Sequence, residues 1–332
     1  MESPKAARRS DRLRRRIPVY TALAAVVALG ATAAGTVYVK AQAHSTAGAV
    51  SSVSASPSVS ASPSASASGE ASVETVARPV VDHDELLAAG MGSVTVEDGA
   101  EVSVAVLDLE SGESAAYGDG TFDTASIVKV DILAALLLQA QDAGRALTVT
   151  EKSYATAMIE NSDNTSASAL WRTIGQADGL DAANRRLGLT GTEGGDGMLW
   201  GLTQTTAADQ LVLLQQVFGE DSELSEASRS YLKGLMGQIA AGQQWGVSAA
   251  ADGSAWALKN GWLPRSATGL WDINSIGRVT VDGHDCLVAV LSDGNSTQAK
   301  GISLVEAAAR AAVSVFAGEG STASVPASAS AS

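Results

Sequence analysis

Phe122-Asp-Thr-Ala-Ser-Ile-Val-Lys-Val130 decides how the rest of the chain is read. An apolar-rich run follows it, which predicts a helix from about 126 to 143. Ser126 and Lys129 are then i and i+3 at the helix start, on one face, where their side chains can meet. The positive end of the helix dipole favours negative charge developing on the serine oxygen. A desolvated lysine loses its proton near neutral pH and can serve as a base. By itself the Ser-x-x-Lys spacing is common, and it equally describes a capped helix carrying an exposed lysine.

The chain holds three histidines, His44, His83 and His284. A zinc hydrolase needs two or three in one constellation, and no such spacing exists. No metal or other cofactor is expected. A Ser-His-Asp triad would have to use His83, at the domain edge, or His284, in Asp-Gly-His-Asp, which is expected to be an exposed turn residue. A serine nucleophile here therefore calls for a base other than histidine.

Two further motifs supply the missing parts. Ser162-Asp163-Asn164 falls at a break between two predicted helices, and Lys259-Asn260-Gly261 falls on a late predicted strand. Each alone could be a capping turn or a strand end. Ser-x-x-Lys, Ser-Asp-Asn and Lys-x-Gly in this order are the signature of class A β-lactamases and penicillin-binding proteins, and the chain resembles that family over about 101–316. Ala105-Val-Leu-Asp-Leu-Glu-Ser-Gly112 is similar to its first strand and turn. Asn161-Ser-Asp-Asn-Thr-Ser-Ala-Ser-Ala-Leu170 is similar to the helix after its second motif. Leu202-Thr-Gln-Thr-Thr-Ala-Ala-Asp209 resembles the helix start after its omega loop. The resemblance implies that Ser126 attacks the carbonyl carbon and Lys129 takes or relays its proton. It implies that Ser162 passes a proton to the leaving nitrogen and that Asn164 bonds the substrate amide and Lys129. Lys259 would order Ser162 and attract a substrate carboxylate. Asn260, Gly261 and Trp262 would line the substrate site, with the Ser126 and Trp262 N–H groups as oxyanion hole.

Three departures bear on activity. Asn260 replaces the family's Thr or Ser, leaving an amide as the available donor, and Trp262 follows the glycine. Ile273 stands before Asn274 where many members place an arginine, and Arg265 is the nearest substitute. Only Asp142-Ala-Gly-Arg-Ala-Leu147 links two helices where the family carries a long loop, so a more open site is expected. The stretch Leu189-Thr-Gly-Thr-Glu-Gly-Gly-Asp-Gly-Met-Leu-Trp200 lacks the family's Glu-x-x-Leu-Asn pattern. Its acids, Glu193 and Asp196, are expected to be solvated. Weak deacylation follows from that reading.

The remaining pattern predicts an α+β architecture of β-lactamase/transpeptidase type. Strands are expected at Glu101–Asp108, around Ser114–Tyr117, and near Trp256–Trp262, Asp272–Val281 and Asp285–Ser292, with a hairpin turn at Asp282-Gly283. Helices are expected near Asp84–Met91, at about 151–160, 164–174, 178–187, 205–218 and 225–239, and from Thr297 to Phe316, with Thr150, Asp178 and Thr205 as starts. Strands from both ends share one antiparallel sheet flanked by helices, with a helical lobe beside it. The single cysteine, Cys286, excludes an intrachain disulfide and is expected in the core.

The ends read differently. Eight Lys or Arg against two acids leave +6 over residues 1–40, so with −14 for the whole chain the remainder carries −20. An acidic remainder argues against nucleic acid as partner. A basic cytoplasmic segment, 1–16, precedes a 23-residue apolar run, 17–39, expected to act as a signal-anchor crossing the membrane once. Cleavage near Ala43 and secretion is the alternative. Residues 44–80 and 317–332 are Ser/Ala-rich and expected to be disordered, and 81–316 to form the serine hydrolase domain, a monomer. Its substrate would be a β-lactam or a peptidoglycan-type amide. A D,D-peptidase or penicillin-binding protein, or a non-catalytic binding module retaining the fold, are the other readings.

Overall fold

The computed structural model describes residues 81–317. The expected segments 1–16, 17–39 and 44–80, and the tail beyond Ala317, lie outside the described residues. Among the described residues no helix is long and apolar enough to cross a membrane.

Five strands form one antiparallel sheet in the order β2-β1-β7-β6-β5. They are β1 (Glu101–Asp108), β2 (Ser114–Tyr117), β5 (Trp256–Pro264), β6 (Trp271–Val281) and β7 (His284–Asn295). Two short strands, β3 (Phe122–Asp123) and β4 (Gln204–Thr205), pair separately. The fold is the expected α+β arrangement, with N- and C-terminal strands in one sheet. The alternation of β1 and β7 explains why both faces are covered. Val104, Val106, Cys286, Val288 and Val290 pack with Leu87 of α1 (His83–Met91) and with Val305, Ala308 and Ala312 of α8 (Gln298–Ser314). Ala105, Leu107, Leu287, Ala289 and Leu291 point the other way and join the larger core with α2 (Val128–Asp142) and α6 (Ala207–Phe218). Cys286 is wholly buried, and burial pushes its thiol up to about 12.

The helical lobe holds α2, α3 (Val149–Glu160), α4 (Asn164–Ile174), α5 (Gln176–Leu187) and α7 (Glu226–Met236). Helix α2 is buried on every side from Val128 to Leu138, as an apolar-all-round helix must be. Several expected helix starts move. Thr148, not Thr150, caps α3, because Glu151 three residues on completes a capping box. Thr206, not Thr205, caps α6. Thr205 instead pairs with Phe122, and its buried hydroxyl bonds Thr192. Helix α5 opens at Gln176 after Gly175 in the left-handed region, rather than at Asp178. The hairpin turn is as expected, Asp282 and Gly283 having φ of 52° and 87°.

Candidate active site

The nucleophile segment precedes α2 as one 3-10 turn, Ala125–Ile127, so Ser126 sits just outside the α-helix rather than within it. The turn is clamped from three directions. Asn274 of β6 donates its amide to the carbonyls of Asp123 (2.9 Å) and Thr124 (3.0 Å). Arg265 pairs with the Asp123 carboxylate, and Thr124 N–H reaches Thr203 O at 2.9 Å. Gly261 presses against the same turn. A Cβ there would lie 2.7 Å from Thr124 O and 2.8 Å from Ser126 N, so only glycine lets β5 come this close.

Lys129 has no exposed surface. Its Nζ lies 2.9 Å from Ser126 Oγ, 2.8 Å from Ser162 O, 2.9 Å from Ser162 Oγ and 2.8 Å from Asn164 Oδ1. Two of these partners are carbonyl-type oxygens, which only accept. The other two are hydroxyls, which also donate. A neutral amine is therefore fully satisfied here: both N–H bonds go to carbonyls, and the lone pair accepts from a hydroxyl. Burial lowers Lys129 from 10.5 to about 7, against a smaller upward pull from the Asp163 carboxylate.

Ser162 reaches the lysine with both its carbonyl and its hydroxyl because its backbone is left-handed, with φ 55°; Ala125, beside the nucleophile, has φ 47°. Such non-glycine conformations cost about 1–3 kcal/mol each and gather at functional sites. Lys259 Nζ donates to Ser162 Oγ at 3.1 Å and to Asn260 O at 2.8 Å. Ser162 Oγ thus lies between two buried amines. Burial, and then the neighbouring Lys129, push Lys259 well below its usual range, which opposes the positive charge expected of it.

The structure brings Ser126, Lys129, Ser162, Asn164, Lys259 and Gly261 together, with Trp262 on the cleft wall. It does not bring Asn260 there. The Asn260 side chain turns to the opposite face of β5 from Lys259, and its amide donates to Gln243 O (2.7 Å) and Trp245 O (3.0 Å). The amide expected as substitute for the family's hydroxyl is therefore already used. Arg265, expected as the substitute arginine, lies on the cleft wall but is paired to Asp123 and, at 3.3 Å, to Asp272.

His83 and His284, the histidines among the described residues, stand apart. His284 is not an exposed turn residue: it is half-buried, with Nδ1 3.0 Å from Asp108 Oδ2. Gly261 pairs with Asn274, which pairs with Leu291. Leu291 is seven residues along β7 from His284, roughly 23 Å at a strand's rise. His83 is buried against Phe316, on the sheet face packed by α1 and α8.

The cleft beside Ser126 has a volume of about 620 Å³. One wall is Met198, Leu199, Trp200 and Leu202, and the other runs from Trp262 to Ala267. Glu193 and Asp196 are exposed, as expected of solvated acids, and neither lines it. Sequence reasoning missed Trp200, which sits where that loop meets the site. Its ring centroid is 5.0 Å from Lys129 Nζ, and its indole N–H donates to Ser168 Oγ at 3.2 Å.

The fold and this constellation define a protein of the serine β-lactamase and transpeptidase type. The profile of the beta-lactamase enzyme family matches residues 138–316, and the chain belongs to that family. No curated protein matches its sequence significantly. Among solved structures, the TLA-1 extended-spectrum β-lactamase aligns with a TM-score of 0.61 at 16% identity, over 70% of this chain and 98% of its own. A PBP-A variant solved as its acyl-enzyme with penicillin G gives 0.60 at 22%, over 70% and 96%. A β-lactamase from Chitinophaga pinensis gives 0.57 at 19%, over 69% and 96%. These likenesses establish the fold.

Proposed function

We propose that the chain is a serine acyl-transfer hydrolase of class A β-lactamase type that forms an acyl-enzyme on Ser126 with a β-lactam or a cell-wall peptide amide. The observation that carries this reading is the buried Lys129, whose Nζ contacts Ser126 Oγ, Ser162 Oγ and Asn164 Oδ1 at once. Ser126 Oγ attacks the carbonyl carbon as its proton passes to neutral Lys129. The Ser126 N–H and the N–H of Trp262 stabilise the oxyanion; β5 pairs with β6 on one side, and Gly261 brings β5 against the nucleophile turn on the other. Ser162 returns a proton to the leaving nitrogen, held in place by Lys259. Asn164 orients the substrate amide.

Release of the acyl group requires a base and a water on the ester. No carboxylate lines the cleft, and Trp200 occupies the flank of Lys129. This favours a penicillin-binding protein or D,D-peptidase over an efficient β-lactamase. We place the domain outside the cell, monomeric and tethered by the apolar run 17–39.

The test is intact-mass spectrometry of the purified chain after penicillin or a fluorophosphonate. One adduct is expected on Ser126, persisting with penicillin, and none in Ser126→Ala. Equal labelling of the two proteins would remove the mechanism.

A further inference from the structure

Acylation leaves a charge that the motifs do not account for. As Ser126 Oγ bonds the carbonyl carbon, its proton moves to Lys129 and the carbonyl electron pair goes to the oxyanion. The oxyanion has its N–H donors. The new ammonium has only neutral oxygens around it: the hydroxyls of Ser126 and Ser162, the Ser162 carbonyl and the Asn164 amide oxygen. The charged groups that bear on it from the elements packed against α2 are Asp163, which caps α4, and Lys259 of β5, which opposes a second positive charge. Asp131, on α2 itself, bonds Gln210 instead. Glu193 and Asp196 are exposed, and neither lines the cleft.

Trp200 meets that charge. Its ring lies under Lys129 Nζ, 5.0 Å from the centroid, and indole is the aromatic ring that attracts a cation best. The side chain is held in place at both ends. Its N–H donates to Ser168 Oγ at 3.2 Å, and Ser168 stands four residues beyond Asn164, on the same face of α4. Its backbone opens the 3-10 turn Trp200–Leu202, with Thr203 N–H on Trp200 O at 3.2 Å. The preceding residue is pressed against Gly195, where a Cβ would lie 2.2 Å from Leu199 O. The half-buried ring packs on the larger core, and Lys129 beside it has no exposed surface.

We infer that Trp200 is a positioning residue for acylation: its ring keeps water from the Lys129 amine and receives the ammonium that this amine becomes. The inference rests on the proposed acylation of Ser126 and adds the residue that governs its base. The two effects have opposite signs, which makes them separable. Covering the amine favours its neutral form. The ring face favours its charged form. Leucine in place of Trp200 keeps an apolar cover and removes the ring. Alanine removes both and leaves a space beside Ser168, Asn164 and Lys129 that opens into the cleft, polar enough to hold water. Phenylalanine keeps a ring and loses only the N–H.

The experiment reads Lys129 in two ways on the purified full chain and its Trp200→Phe, Trp200→Leu and Trp200→Ala variants. One is the pH titration of the lysine ¹³Cε resonance, with that of Lys129 assigned by its loss in Lys129→Arg. The other is the pH profile of Ser126 labelling by a fluorophosphonate. Trp200→Phe is expected to titrate close to the unaltered chain. Trp200→Leu is expected to titrate roughly half a unit to one unit lower and to label more slowly at its plateau. Trp200→Ala is expected to titrate about one unit or more higher. A ring that only fills space would alter the plateau rate without moving the midpoint. A midpoint unchanged in both Trp200→Leu and Trp200→Ala, or one displaced the same way in both, would overturn the assignment. Labelling of Ser126→Ala equal to that of the unaltered chain would overturn the acylation reading instead, and the resonance titration does not depend on it.

Discussion

Lys129 sets a pH dependence that can be worked out from its burial. Desolvation brings it from 10.5 to about 7, a difference of about 5 kcal/mol between its two protonation states. Asp163 opposes this by favouring the ammonium, and Lys129 in turn adds to the lowering of Lys259 across Ser162 Oγ. At about pH 6 roughly one molecule in ten has a neutral Lys129, and at about pH 8 roughly nine in ten. The rate of Ser126 labelling by a fluorophosphonate should therefore rise about tenfold over that interval and then level. Lys129→Arg should abolish the step together with most of the labelling, because a guanidinium stays charged. The same burial acts on stability. The folded chain has given up a proton that the unfolded chain keeps between about 7 and 10.5, so the penalty is full below about 7 and fades as pH rises through that window. Stability to urea should accordingly increase from neutral to alkaline pH, apart from other titrating groups. A labelling profile flat between pH 6 and 8, or one inflecting near 10.5, would show that Lys129 is an ordinary ammonium and refute the reasoning.

Two further outcomes are expected. Asp131, one turn into α2, is wholly buried and raised to about 7 by desolvation, with Gln210 its hydrogen-bond partner. Its ionisation penalises the fold fully above about 7 and not at all below 3.8, so Asp131→Asn should stabilise the protein at about pH 8 by up to about 4 kcal/mol and much less near pH 4; equal urea-melt differences at both pH values would contradict this. For location, fractionation of native cells should find the chain in the membrane, and a soluble form beginning near His44 would remove the anchor.

What the sequence disclosed divides by range. Ser126 and Lys129 were legible because the helical repeat alone brings i and i+3 together, and that holds although Ser126 belongs to a 3-10 turn. The Asp282-Gly283 hairpin was legible for the same local reason. Thr148 could have been found from the Glu151 three residues on. Thr205 could not have been rejected as a cap, because its pairing with Phe122 joins segments over eighty residues apart in the chain. Asn260 was readable in principle: strand alternation puts it on the opposite face from Lys259. What no local pattern carries is Trp200, whose approach to Lys129 depends on the whole course of the 189–203 loop. That loop is fixed by contacts such as Trp171 Nε1–H to Gly197 O at 2.7 Å and Gly195 N–H to Thr203 Oγ1 at 3.1 Å.

Lys259 shows why finding a motif does not complete its chemistry. The sequence supplies the lysine and its strand, and a positive charge for a substrate carboxylate is the natural reading. The fold then buries that amine entirely, beside a second buried amine that shares Ser162 Oγ. Two such groups titrate as a coupled pair, and the first proton leaves more readily because the second remains. Near neutral pH the pair therefore holds less than its two full charges. That deficit serves acylation, since one amine must be neutral to take the Ser126 proton. Arg265 does not restore that charge, being bonded to Asp123 and Asp272. The same burial that readies the nucleophile thus limits how much positive charge stands behind it.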